Sequence, residues 1–192
     1  MSDLFELDRA AQSDGGSRHK VFFALRPEPP AALAAQELGR ARRRPGEWPM
    51  PRERFHVSLN HVASAPSLPT ESVDRALRAA SGVSIAPFVI AFNRLGSWGG
   101  KAADRAVVLW GDEGVDGALR LHSALHSSLR AAGVARGAEP VFEPHLTLLR
   151  KARDVAQEFI LPVRWWVREF VLLDSVHGEG RHEVLGRWTL GA

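Results

Sequence analysis

The chain contains no cysteine and no tyrosine. The lack of cysteine excludes a disulfide scaffold, a thiolate nucleophile and any cysteine-based zinc site. It also fits a reducing compartment, and the expected location is cytoplasmic. Lysine is scarce: Lys20, Lys101 and Lys151 are the only three, against 22 arginines. Little titrates between histidine and lysine, so a net charge of only +3 still gives a pI near 10.1. No apolar run is long enough to span a bilayer. Met1 to Gly16 is polar and acidic and lacks the apolar core of a secretory leader. Membrane partners are therefore not expected.

What is present describes a globular protein. A chain of 192 residues with 45% hydrophobic content can bury a core as one domain or as two small lobes. The arginine excess has two readings. It suits a phosphate-rich partner, because the guanidinium fork matches phosphate oxygens. Genome-wide compositional bias is the plainer account for most individual arginines.

Local pattern divides the chain into elements. Residues 1–18 read as a flexible N-terminal tail ending in Ser13-Asp14-Gly15-Gly16-Ser17. Val21 to Leu25 is a short buried strand, and Pro29-Pro30 opens a helix over Ala31 to Arg43. Pro45 to Pro51 is a loop, followed by a strand over Arg54 to Val62 and a helix from Pro69 to Ala80. Strands follow at Ile85 to Leu95 and Arg105 to Trp110, separated by a turn at Ser97-Trp98-Gly99-Gly100. A helix over Gly114 to Ala132 ends at Gly133. Strands are expected at Phe142 to Leu149, Val163 to Leu173 and His182 to Leu190, the last two joined by a turn at His177 to Gly180.

Two of these strands carry the same four-residue pattern. One holds His56-Val57-Ser58-Leu59 and the other His145-Leu146-Thr147-Leu148. A strand's side chains alternate, so each histidine shares a face with a hydroxyl residue while the apolar residues face the core. The order strand, helix, motif strand occurs twice, from Val21 to Leu59 and from Val107 to Leu148. Packing the two units about an approximate two-fold axis would bring both imidazoles and both hydroxyls around one small anion.

On these residues the chain resembles the two-histidine phosphoesterases, whose signature is a pair of His-x-Thr/Ser-apolar motifs. It is most similar to the bacterial RNA 2′,3′-cyclic phosphodiesterases, also called 2′-5′ RNA ligases. The likeness is strongest in Phe142 to Arg150 and extends to Val21–Leu25 and to Arg187-Trp188-Thr189-Leu190. It implies an α+β fold with two pseudo-symmetric lobes, antiparallel sheets lining a central cleft and helices packed outside. Residues 19–192 would form this single bilobal domain, as a monomer. The implied reaction is hydrolysis of a 2′,3′-cyclic phosphate at an RNA 3′ end to a 2′-phosphate. His56 would be the proton donor and His145 the proton acceptor, with Ser58, Thr147 and Arg150 holding substrate. No cofactor or metal is implied. A ribose hydroxyl in place of water would give 2′-5′ joining. The chain departs from the family at Ser58, where threonine is commoner, and at Asn60-His61-Val62, where an apolar stretch is usual.

Residue chemistry supports this class on its own terms. Opening a cyclic phosphodiester needs a base for the attacking water and an acid for the leaving alkoxide. Histidine serves as either near neutral pH. Hydroxyls donate to nonbridging oxygens. Arg150 lies five positions after His145, so strict alternation puts it on the opposite face. Its use as a ligand requires a bulge or a strand end.

The remaining candidates receive plainer readings. His61 falls on the face opposite His56 in an unbroken strand and reads as structural. His122 and His126 have helical i, i+4 spacing without the glutamate of a zinc motif, and read as a solvated helix face. His177 and His182 flank a turn and read as exposed, with contact to substrate possible if the turn borders the cleft. Glu143 reads as an exposed carboxylate, and Phe22 and Trp110 as core rather than base-stacking residues. The basic run Arg40, Arg42, Arg43, Arg44, Arg52 and Arg54 is balanced between an RNA path and a charged helix end. Two rival functions stay open: a non-catalytic RNA- or nucleotide-binding protein, and a cyclic phosphodiesterase acting on small nucleotides.

Overall fold

The structure, a computed structural model, describes residues 17–99 and 105–191. The expected tail at 1–18 and the end of the turn at Gly100 thus fall almost wholly outside the described residues.

Among the described residues, nine strands form two antiparallel sheets. The first sheet is built from β1 (His19–Leu25), β3 (Val57–Ala65), β8 (Glu169–Val176) and β9 (His182–Thr189), in the order β3-β1-β8-β9. The second contains β2 (Trp48–Pro49), β4 (Phe88–Trp98), β5 (Arg105–Trp110), β6 (His145–Ala152) and β7 (Glu158–Val167), in the order β2-β6-β5-β4-β7. Among the described residues three helices, α1 (Pro29–Arg42), α2 (Thr70–Ala80) and α3 (Asp116–Ala131), pack with these sheets in an α+β fold.

One hydrophobic core joins both sheets and all three helices. In α3, Leu121, Leu125 and Leu129 recur every four residues and are fully buried. Each such leucine contributes ~1.5–3 kcal/mol relative to exposure. The helix lies so close to β4 that a Cβ at Gly117 would sit 2.2 Å from the Phe88 ring. The helices also cross between sheets. Helix α1 follows β1 of the first sheet but packs on β6 and β7 of the second, while α3 follows β5 and reaches β3. Each half of the duplicated order is thereby locked to the other.

Two expectations are corrected here. The single strand expected over Val163 to Leu173 is two strands, β7 and β8, in different sheets. The chain changes sheet at Arg168-Glu169, where two successive exposed residues break the alternation of burial. The His122–His126 pair is not a solvated face. Both rings are buried, and His122 stacks on Phe142 at 4.3 Å between ring centres. Burial is the main reason the His122 pKa is lowered, so this ring is a neutral packing element. No group of three metal-ligating side chains occurs among the described residues.

Candidate active site at the seam of two sheets

Motif strand β3 is an edge of the first sheet, and motif strand β6 stands one short strand from the edge of the second. The two strands touch. The segment leading into the first motif is sewn onto the second motif strand. Trp48 pairs with Arg150, Pro49 with Leu149, and the Met50 amide donates to the Leu148 carbonyl at 2.8 Å. The Glu47 carboxylate accepts from the Arg44 and Arg153 amides at 2.8 and 2.9 Å. This stitching holds the segment that leads into His56 against the strand that begins at His145.

The two imidazoles are wired alike. His56 Nδ1 donates to the Arg54 carbonyl at 2.7 Å, and His145 Nδ1 donates to the Glu143 carbonyl at 2.9 Å. A carbonyl only accepts, so each ring carries its neutral-form proton on Nδ1 and its lone pair on Nε2. In the first motif the Ser58 hydroxyl lies 3.1 Å from His56 Nε2 and donates to it. The backbone of Glu143, rather than its carboxylate, is what orients a histidine. The ring of His56 follows a 3-10 turn at Arg52–Arg54 and just precedes β3, so the strand begins at Val57 rather than Arg54.

Matching bulges set the rest of the site. In β6, Val108 pairs with Thr147 and the next residue, Val107, pairs with Leu149, so one residue is inserted. Leu148 and Leu149 are both buried, and Arg150 emerges on the face of His145 and Thr147. The bulge that Arg150 required is therefore present. In β3, Ala24 pairs with Ser58 and Phe22 with His61, which inserts one residue at Leu59-Asn60. His61 consequently shares the face of Ser58, contrary to its expected place on the opposite face, and lies 2.9 Å from the Ser64 hydroxyl. His61 and Arg150 occupy the same position in the two motifs, five residues after the histidine.

A cavity of about 260 Å³ is lined by His56, Ser58, Arg54 and Arg150, and extends over Phe22 to Lys20, Ser175 and His182. Among the described residues, no carboxylate lines it. His145 and Thr147 do not line it either; they precede Arg150 on the same face of β6. His145 is close enough that charge on it disfavours charge on His56. Arg54 is lowered from its ordinary value by burial and by Arg150 close by. Two guanidinium groups facing one cavity favour an anion between them.

Three residues placed at a turn or in the core by the sequence reading border this site. The His182 ring meets His56 edge-on at 4.9 Å and Phe22 at 5.8 Å. Trp110 is half-exposed rather than core. It packs on Trp98 at 5.3 Å, and Trp98 lies 4.8 Å from His145, forming an aromatic wall beside it. Phe22 is buried, but on the cleft side, in a small cluster with Ala24, Val171 and Leu173 that forms the floor. In the basic run, Arg40 pairs with Glu37, Arg42 with Glu158, and Arg43 reaches the Glu47 carbonyl; only Arg54 lines the cavity.

Burial, reinforced by His182, Arg150 and His145, lowers the His56 pKa to about 3 against the pull of the Arg54 carbonyl. Burial, with Arg54 and Arg26, lowers His182 to about 4. Both rings are neutral in the folded protein near neutral pH. An unfolded chain has ordinary imidazoles near ~6.5. Between about pH 6.5 and 4 the unfolded state binds protons that the folded site refuses, so stability falls as pH drops through that window. Melting temperature should decrease from about pH 7 to about pH 4.5, and less in His182→Phe. An identical decrease in the variant would remove His182 from this account.

The sequence matches the 2′-5′ RNA ligase superfamily over residues 27–179. No curated protein sequence matches the chain. Among solved structures the chain is similar to E. coli LigT in apo form, at 24% identity and a TM-score of 0.71, covering 92% of this chain and 99% of that one. The complex of E. coli LigT with 3′-AMP gives 23% identity and 0.72, covering 91% and 99%. TT0787 of Thermus thermophilus gives 23% and 0.73, covering 90% and 98%. These likenesses bear on the fold, while the family match covers most of the sequence and includes both motif strands. The chain belongs to the 2′-5′ RNA ligase superfamily of two-histidine phosphoesterases.

Proposed function

We propose that the protein opens 2′,3′-cyclic phosphates at RNA 3′ ends, leaving a 2′-phosphate. The observation that carries this reading is the pair of identically wired imidazoles, His56 in a cavity lined by Arg54 and Arg150, and His145 on the face of β6 that carries Arg150. E. coli LigT, which shares the fold, has been crystallised with 3′-AMP and with phosphate, and this supports a phosphate ligand in the cleft.

In the proposed step, water attacks phosphorus in line with the 3′ oxygen. His145, with its lone pair on Nε2, takes the water proton as the new P–O bond forms. The P–O3′ bond breaks, and His56 delivers a proton to O3′. Ser58, Thr147 and Arg150 hold the nonbridging oxygens. A preorganised donor stabilises developing charge without reorganising at the moment of reaction. His56 is neutral in the empty site, so it must take up its proton when the phosphate binds. The anion favours that uptake by offsetting the repulsion from Arg150. A ribose 5′-hydroxyl in place of water would give a 2′-5′ junction by the same transfers.

The test is incubation of an RNA carrying a terminal 2′,3′-cyclic phosphate with the protein and excess chelator. Conversion to the 2′-phosphate is expected, because two imidazoles supply both proton transfers. Tight RNA binding with no ring opening across the pH range would overturn catalysis and select a binding protein. A 3′-phosphate product would reverse the assigned leaving oxygen.

A further inference from the structure

The cleft floor continues well beyond the first motif. Antiparallel register sets Ser64 opposite Lys20, Lys20 opposite Ser175, and Ser175 opposite His182, one row across all four strands of the first sheet. The row of Ser58 and Ala24 lies four residues further along β1, roughly 13 Å away at the rise of a strand. Phe22 and Leu173 lie between the two rows and make an apolar strip. One cavity reaches both ends. His182 starts in the far row, and its ring leans over Phe22 to meet His56. The far end of the cavity is lined by the Lys20 ammonium group and the Ser64 and Ser175 hydroxyls. Such donors suit phosphate oxygens, and the strip between suits the apolar face of a nucleoside.

We propose that Lys20, Ser64 and Ser175 form a second phosphate subsite, which takes a phosphate on the 5′ side of the nucleoside whose cyclic phosphate reacts at His56. The inference rests on the proposed function for the position of the first phosphate. It makes the preferred substrate one with two phosphates rather than a lone cyclic nucleotide. The chain phosphodiester of an RNA end and a terminal 5′-phosphate share this chemistry.

Equilibrium binding tests the subsite without relying on turnover. The ligands are adenosine 2′-phosphate, adenosine 2′,5′-bisphosphate and a diadenosine with a terminal 2′-phosphate. The wild-type protein should bind both two-phosphate ligands about tenfold or more tightly than the monophosphate, as charge-assisted hydrogen bonds allow. Lys20→Met should bring that ratio towards one, and Ser175→Ala, a smaller change in a strand, should lower it partway. Equal affinity for one and two phosphates in the wild type would overturn the subsite. So would a ratio unchanged in both variants. Preference for the dinucleotide over the bisphosphate assigns the site to RNA chains, and the reverse assigns it to 5′-phosphorylated nucleotides. A retained preference without ring opening on any substrate would overturn the catalytic reading and leave the subsite standing.

Discussion

His145→Ala should lower the rate of cyclic phosphate opening by ~10² to 10⁴, and His56→Ala should do the same. Each substitution removes one of the two proton transfers, and no second imidazole replaces it. Both motif imidazoles sit at the start of their strands, so their removal leaves the leucine side of each motif packed. Melting temperatures should change little compared with the loss of turnover. The double variant should not lose the product of the two single losses, because the residues act in one concerted step. Full turnover in either single variant would reject its assignment.

The elements that periodicity and punctuation predict are mostly those present: β1, α1, α2, β5 and α3 lie within a few residues of their expected bounds. Two things depart from local pattern. The first is the break at Arg168-Glu169, where a continuous β-rich run serves two sheets because each half finds a different partner strand. Its only local sign is a pair of adjacent charges. The second is the matched pair of bulges. Alternation predicts that a residue five positions after each histidine faces away, and both bulges reverse this, for His61 as for Arg150. The doubled apolar Leu148-Leu149 is a visible trace of the insertion in β6. In β3 the corresponding residue is Asn60, buried with its side-chain amide donating to the His122 carbonyl at 3.2 Å, so hydropathy hides it. His182 is legible as a turn residue but not as a neighbour of His56. That contact depends on the order β3-β1-β8-β9, which places β9 across the sheet from β3, and on the reach of two rings over Phe22.

Replacing Arg150 with Gln should weaken binding of a nucleoside 2′-phosphate by ~10- to 100-fold, the range of a lost hydrogen bond between charged partners. The same change should raise the pKa of His56 in the empty site. Arg150 is one of the charges that oppose protonation of that ring, so its removal favours the imidazolium. The two effects run in opposite directions for catalysis: substrate is held less well, yet the acid is protonated more readily. Following the His56 ring proton by NMR against pH should show a midpoint near 3 in the wild type and a higher one in the variant. Adding inorganic phosphate to the wild type should also raise it, as the bound anion offsets the guanidinium groups. Arg150→Lys keeps the charge and loses the fork, so it should leave the midpoint low while still weakening binding. A structural role alone would change neither the titration nor the response to phosphate. If Arg150→Gln left the His56 midpoint in place, the bulge in β6 would not be delivering the guanidinium to this cleft.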